Sequence, residues 1–307
     1  MEDNKLMEAI VNDPELGEAS WNELMAKAQN HPFYAKILKE GLYRDVAGAL
    51  GAVQATVWPI AWENAIGREL IKVMRTTNAL ERFPKEIKAV AYESGEAPPM
   101  GTGGRVEFTN VEANIEISAK KEWTQGYIED AAWNVLQYQL GAIGRALAKK
   151  ESQKIISIYN AIAAGNLATG AEITITDNAP TWAQVVDLVS AVAEADYVPE
   201  VVAMNAPEFG YLFNHDQFIS SLYLPHGQAD IRKGVVYHSG LGVKFVRSTL
   251  ISKSLCIDTN ASGVFLLRRE VNTKPYEDPA NVKFGVQGNE RYGCGMLRND
   301  AVARGTN

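Results

Sequence analysis

Residues 127–162 read YIEDAAWNVLQYQLGAIGRALAKKESQKIISIYNAI. Leu136, Leu140, Ile143 and Leu147 step by four, three and four, and Ile155, Ile158 and Ile162 resume at three and four. That spacing lines up one face of a helix. No proline interrupts the run, and Gly141 and Gly144 are its only weak points. At ~1.5 Å per residue, roughly 36 residues make a helix on the order of 54 Å. An average globular helix has ~11–12 residues. The stripe loses register around residues 149–154, which argues against a coiled coil and for one long helix backing a sheet.

Upstream, residues 86–92 (EIKAVAY) alternate, with Ile87, Ala89 and Ala91 on one face. Residues 105–119 (RVEFTNVEANIEISA) alternate again through Val106, Phe108, Val111, Ala113, Ile115 and Ile117. Between them SGEAPPMGTGG, residues 94–104, packs four glycines and two prolines into eleven positions. The pattern reads as a long two-stranded arm with a tip that holds neither helix nor sheet. An isolated hairpin is marginal in water, so this one needs something to lie on, a pointer to subunit contacts.

Residues 60–76 (IAWENAIGRELIKVMRT) place Trp62, Ile66, Leu70 and Val73 four, four and three apart. They predict an amphipathic helix that stops before Phe83 and Pro84. The first ~45 residues are broken before Pro14 and Pro32. They carry no sustained apolar pattern and read as an arm of short acidic helices.

Downstream, residues 180–196 predict a helix with proline near its first turn. Residues 201–204 predict a short buried strand and 206–214 a short helix. Residues 234–247 (GVVYHSGLGVKFVR) predict a hairpin turning near Ser239 and Gly240. Residues 255–258, 263–271, 282–286 and 296–304 are further strand candidates. Strands and helices fall in blocks rather than in βαβ repeats, so the class is α+β.

The chain has 307 residues, 46% hydrophobic and 22% charged, as globular rather than disordered chains do. That length predicts about two domains. A net charge of −7 and a pI of about 5.3 are opposite to a basic nucleic-acid-binding surface. The charge is uneven. Residues 1–30 hold seven acids (Glu2, Asp3, Glu8, Asp13, Glu15, Glu18, Glu23) against Lys5 and Lys27, a net of −5, so the other 277 residues sum to −2. No apolar run reaches the ~18 residues of a membrane span. The start lacks the basic region and apolar core of a secretory leader. Cys256 and Cys294 fit a reduced chain. His31, His215, His226 and His238 have no ligand-like spacing for structural zinc. No fixed period repeats along the chain.

Motifs with chemistry are weak. Gly101-Thr102-Gly103-Gly104 lacks both the third spaced glycine of a dinucleotide loop and the Gly-Lys-Ser/Thr of a P-loop. Ser239 follows His238, but Tyr237 and Leu241 stand where a nucleophile elbow needs glycine. Glu93 and Glu96 sit in the breaker-rich stretch, whereas acid–base work needs rigidly held groups. His215, Asp216 and His226 read as surface or packing residues, and Cys294 as a small buried hydrophobe. No catalytic, cofactor-binding or metal-binding residue is assigned, and the chain is not expected to be an enzyme. Arg145, Lys149, Lys150 and Lys154 follow the long helix as a solvated face that can also meet the acidic arm of another copy. Arg268, Arg269 and Arg298 carry the same two readings.

The order of these elements resembles the tailed-phage major capsid proteins with the Hong Kong 97-like fold. The resemblance implies an N-terminal arm at 1–50, a peripheral-domain helix region at 51–83 and an extended loop at 84–123. It implies a peripheral domain with spine helix at 124–179, an axial domain at 180–254 and peripheral-domain strands at 255–307. Within it, the helix at 180–196 followed by VPEVVAMNAPEFGYLFN (198–214) is similar to the helix–strand–Met-Asn–helix segment of the axial domain. GVVYHSGLGVKFVRSTLIS (234–252) is similar to the hairpin leading back out of that domain, and residues 291–303 to the last peripheral strand.

Such a chain self-assembles into pentamers and hexamers of an icosahedral shell around packaged double-stranded DNA, touched non-specifically and without a membrane. The shell lies in the virion and is assembled in the host cytoplasm. A separate scaffolding protein, a portal and decoration proteins are the further partners implied. Only ~50 residues precede the helix at 60–76, too few for a large fused scaffold. Some members join a loop lysine to a neighbour's asparagine. Lys85, Lys88, Lys120 and Lys121 lie near the loop and Asn272, Asn281 and Asn289 in the late strands, but nothing specifies a pair and no crosslink is expected.

The subunit-interface candidates are Glu93, Gly95, Pro98, Pro99, Gly103 and Arg105 in the loop and Lys149 and Lys150 on the helix. Arm and loop are expected to bury little within their own subunit and to be ordered by crossing onto neighbours. An acidic arm lining the interior would limit adhesion of DNA. Two other readings remain: an encapsulin-like nanocompartment enclosing a cargo enzyme, for which the sequence holds no cargo-binding signature, and a soluble α+β hydrolase.

Overall fold

The computed structural model describes residues 31–39, 46–84, 108–176, 179–219 and 235–306. The first half runs α1 (Pro32–Lys39), α2 (Val46–Asn64), a 3-10 turn at Ile66–Leu70, β1 (Lys72–Arg75), β2 (Leu80–Pro84), β3 (Phe108–Glu112), β4 (Ile115–Thr124), α3 (Gln125–Asp130) and α4 (Trp133–Asn160). The second runs β5 (Ile173–Thr174), α5 (Trp182–Glu194), β6 (Val201–Met204), α6 (Ala206–Leu212), α7 (Asp216–Ile219), β7 (Val235–His238), β8 (Val243–Arg247), β9 (Leu255–Ile257), β10 (Gly263–Asp278), β11 (Lys283–Met296) and β12 (Val302–Thr306).

The apolar stripe quoted first forms the spine of the molecule. Leu136, Leu140, Ile143, Leu147, Ile155 and Ile162 are all buried. The helix is shorter than its periodicity predicts, 28 residues or roughly 42 Å. Ala131 and Ala132 are extended, with ψ of 138° and 151°. They split off α3, whose N-terminus is capped by the Thr124 side chain accepting from the Tyr127 N–H. At the other end, Arg304 of β12 donates to the carbonyls of Tyr159 and Asn160 at 3.2 and 2.9 Å. A cation is thereby placed on the negative end of the helix dipole, where free carbonyls need donors.

Gly141 and Gly144, weak points on propensity, are a contact seam. A Cβ on Gly144 would lie 2.6 Å from the Val57 carbonyl oxygen, and one on Gly141 2.9 Å from Ile60 Cδ1. Their absence lets α2 lie directly on α4.

Under α4 runs a four-stranded sheet ordered β1-β10-β11-β4. β10 and β11 form one long antiparallel hairpin from Gly263↔Met296 to Asp278↔Lys283. The sequence predicted only its two ends as strand. Pro275 and the glycines of GVQGNERYGCGM (285–296) hid the rest, since both residue types weaken a strand prediction. The glycines are demanded by neighbours. A Cβ on Gly285 or Gly293 would stand 2.0 Å from the carbonyl oxygen of Lys121 or Glu112, and one on Gly288 2.8 Å from Ile143 of the spine helix.

Two further expectations are corrected. Residues 60–76 are not one helix. Asn64 ends α2 by donating its amide to the Ile60 carbonyl, a 3-10 turn follows, and 72–75 become a strand parallel to β10. The four-four-three spacing does not separate these outcomes, because Leu70 and Ile71 are buried in succession. The missing helix lies earlier: α2 starts at Val46 and buries Leu50, Val53, Val57 and Ala61. Part of the stretch read as an arm therefore belongs to the core. Phe33 and Tyr34 are fully buried, Phe33 stacks on Trp123 at 5.3 Å, and His31 hydrogen-bonds the Tyr276 carbonyl at 3.0 Å.

The six-stranded sheet runs β5-β12-β9-β6-β8-β7. β9 and β12, read as peripheral strands, are hydrogen-bonded into it. Its central strands are apolar on both faces, as a sheet covered on two sides requires. Val201, Ala203, Leu255, Ile257 and Val302 join the core of the spine helix. Val202, Met204, Cys256 and Ala303 join a second core with α5, Phe209 and Phe218. Thr181 starts α5 with a capping box shared with Gln184, so Pro180 precedes the cap instead of opening the first turn. The hairpin β7–β8 turns through Ser239 and Gly240, as predicted.

Candidate functional site

Two surfaces carry the residues expected to meet neighbours. Among the described residues β2 and β3 pair only with each other, from Leu80↔Glu112 to Pro84↔Phe108. They form a ribbon that brackets residues 85–107, of which Glu93, Gly95, Pro98, Pro99, Gly103 and Arg105 lie outside the described residues, as does the strand expected at 86–92. The ribbon is thinly rooted: Val111 and Ala113 pack on Val264 and Leu266, while Phe108 is 55% exposed. The extended loop predicted at 84–123 is shortened at its far side, because residues 115–124 are β4, paired along β11.

The second surface is the outer face of α4. Lys149 and Lys150 are exposed on it, as expected. So are Tyr138, 75% exposed, and Arg145, whose guanidinium stands 5.8 Å from the Tyr138 ring. The structure joins Lys149 to residues the sequence did not connect with it. Arg145, Lys149, Ser152, Arg247, Ser248 and Thr249 line one cleft of about 360 Å³. Arg145 and Lys149 were legible as an i, i+4 pair, but nothing in the sequence brings Arg247 beside them.

Beneath the cleft, sequence reading missed a buried charge cluster. Arg68 donates from Nε and Nη2 to the two carboxylate oxygens of Glu151, both at 2.7 Å, and from Nη2 to Glu290 at 2.7 Å. Side-chain exposures are 10% for Arg68 and 1% for each glutamate. The guanidinium lies 4.4 Å from the Trp62 ring centre. One cation thus ties the turn after α2 to the spine helix and to β11. Two carboxylates share it, and one Glu290 oxygen has no hydrogen-bond partner. Burial, then the charge of Glu151, hold the Glu290 carboxyl well above its usual 4.5.

The sign of the pH effect follows. Raised in the fold, Glu290 contributes stability that is whole below 4.5 and is lost as pH rises through the raised value. Glu290→Gln fixes the neutral form. Its melting temperature should therefore fall less than the wild type's between about pH 5 and pH 8. Parallel curves for the two proteins in thermal scans would refute the assignment.

Other reactive side chains are buried or held by hydrogen bonds and ion pairs. Cys256 and Cys294 are both free. Burial pushes the Cys294 thiol up to about 11 and Cys256 higher still, so neither is a thiolate at neutral pH. His238 is buried: its Nε2 hydrogen-bonds the Gln217 carbonyl at 3.0 Å, and its Nδ1 accepts from the Leu241 N–H. Lys120, near the loop, donates to the Tyr276 hydroxyl and to Glu122. The Glu122 contact and then the Tyr276 hydroxyl raise its pKa, whereas an amine must be neutral to attack. Among the described residues no group of three or more His, Cys, Asp or Glu could hold a metal ion. No described helix is long and apolar enough to cross a membrane.

No family model matches the sequence, and no curated protein matches it. Solved structures match in fold. A chain from the capsid of the cyanophage P-SCSP1u aligns at TM-score 0.55 and 14% identity, covering 76% of this chain and 85% of its own. One from the capsid of a native GTA particle aligns at TM-score 0.55 and 15% identity over 79% and 89%. One from a virus-like particle of Pyrococcus furiosus aligns at TM-score 0.54 and 11% identity over 82% and 98%.

Proposed function

We propose that this chain, which has the Hong Kong 97-like capsid fold, is a major capsid protein. It would assemble with copies of itself into a closed icosahedral shell around double-stranded DNA. The observation that carries the reading is the joint presence of two features in that fold: a spine helix with an exposed polar face, and a thinly rooted ribbon bearing residues 85–107. Such a ribbon buries too little within its own subunit to hold an extended hairpin. Contacts from adjacent copies supply the remainder, and closed symmetry repeats them. A structural rather than catalytic role, a place in the virion, and a portal, scaffold and decoration proteins as partners belong to the same proposal. So do the loop residues Glu93, Gly95, Pro98, Pro99, Gly103 and Arg105 as contacts.

Negative-stain electron microscopy of the expressed protein tests it. Closed shells of uniform diameter are expected, and discrete small oligomers with no shells would overturn it. Deleting residues 94–104 should leave a folded subunit, by circular dichroism, and lower the yield of closed particles at least tenfold. Particles filled with a cargo enzyme and free of DNA would instead identify a nanocompartment.

A further inference from the structure

The cleft between the spine helix and β8 gathers hydrogen-bond donors from two parts of the fold. Arg145 and Lys149 of α4 and Arg247 of β8 line it with Ser152, Ser248 and Thr249, and no Asp or Glu is among its lining residues. The nearest acids along the chain have other partners: Glu151 is taken by Arg68 and Glu69 by Lys244. Among the described residues no carboxylate lies within ion-pair distance of the three cations. The two guanidiniums stand by aromatic rings instead, Arg145 at 5.8 Å from Tyr138 and Arg247 at 5.8 Å from Phe209. A ring steadies a guanidinium and uses up none of its five N–H donors.

The floor of the cleft is polar and buried. Ser152 is 1% exposed and Ser248 5%. Ser152 Oγ accepts from the Gly67 N–H at 3.0 Å and Ser248 Oγ from the Leu250 N–H at 3.2 Å. These bonds hold both hydroxyl oxygens in place. Among the described residues no acceptor takes either hydroxyl proton. A buried donor without an acceptor is costly, so floor and rim call for the same guest, one rich in acceptors and negative charge.

We propose that the cleft binds a free oxyanion of the phosphate class, with two or more negative charges and the size of a diphosphate. Donor count and charge select this class. Three cations and two hydroxyls offer more donors than the two oxygens of one carboxylate can accept. A diphosphate spreads its charged oxygens over two centres, so Arg145 and Lys149 hold one end, Arg247 the other, and the hydroxyls meet it from below. The arginine fork matches phosphate oxygens in pairs, and lysine adds a point charge. A cleft of about 360 Å³ is of the size that takes a small ligand. Duplex DNA carries the same groups on a stiff rod, which reaches the exposed arginines but not the buried hydroxyls. The like charges of α4 and β8 repel across the cleft, and an anion between them turns that repulsion into a bridge. It binds the folded chain in preference to the unfolded one and so raises the melting temperature.

Isothermal titration of the full-length protein with inorganic pyrophosphate, at constant ionic strength, tests the proposal. One site per chain is expected, together with a raised melting temperature in thermal scans. Arg145→Gln combined with Arg247→Gln should weaken binding at least tenfold, and Ser248→Ala about tenfold, as the loss of charge-assisted hydrogen bonds requires. Both arginines are exposed, so the double variant keeps its circular dichroism spectrum and decides the matter if Ser248→Ala does not fold. Succinate, a dicarboxylate, should bind at least tenfold more weakly than pyrophosphate. No binding of pyrophosphate at millimolar concentration, undiminished binding by the arginine variant, or equal binding of succinate overturns the site. Displacement of pyrophosphate by duplex DNA at equal phosphate concentration overturns a free ligand and assigns the cleft to nucleic acid. The measurement needs no shell, so its failure leaves the shell reading standing, and a chain that forms no shells can still bind the anion.

Discussion

Arg68→Ala is expected to lower subunit stability by about 3–5 kcal/mol, the usual cost of removing one partner from a buried ion cluster. The loss does not come from two salt bridges as such, since burying an ion pair is itself expensive. It comes from what is left behind: Glu151 and Glu290, each 1% exposed, facing one another without a cation. Urea titration of the unassembled subunit measures it. Measured above the pH at which Glu290 ionises, the same substitution in a Glu290→Gln background should cost distinctly less, because one of the stranded charges is already gone. Equal costs in both backgrounds would show that Arg68 acts through its stacking on Trp62 rather than through the carboxylates.

Gly293→Val is expected to be of similar size, about 3 kcal/mol or more, at the upper end of overpacking effects. Its Cβ would fall 2.0 Å from the Glu112 carbonyl oxygen and 2.7 Å from the carbonyl carbon. Both are backbone atoms at the root of the β2–β3 ribbon, where no rotamer change relieves the clash. The ribbon must lift from β11 or the hairpin must shift. Gly165→Ala is the matched control, since nothing lies within 4 Å of a Cβ there, and its melting temperature should stay near the wild type's. Lost shell yield in Gly293→Val with an unchanged melting temperature would place its effect outside the subunit core.

Strong local periodicity made much of the fold legible. The Leu136–Ile162 spacing located the spine helix, the unbroken apolar run at 201–204 located a strand buried on both faces, and the turn at Ser239-Gly240 placed a hairpin. The failures share one cause: they turn on contacts distant in sequence. Residues 287–295 became strand because the spine helix and the strands beside β11 leave no room for a Cβ at its glycines, and residues 272–278, with Pro275 among them, because β11 pairs with them, although propensity disfavours both. Residues 72–75 left a helical pattern because β10 offers a partner in parallel register. Phe33 and Tyr34 looked like arm because their pocket is built by Trp123 and Phe284, far along the chain. At the candidate site, Lys149 and Lys150 were found as helix-face cations. The cleft needed Arg247 and the buried cluster needed Glu290, and each comes from a strand with no spacing relation to the helix.

The six-stranded sheet has a consequence for how the subunit comes apart. Along β6 and β9 alternate residues serve different cores, so Val202 and Cys256 pack with α5 while Val201 and Leu255 pack under the spine helix. Neither core can lose its wall without exposing the other. Length alone predicted two domains. The shared sheet instead couples the two cores, so that melting the helices over one face strips a wall from the core on the other.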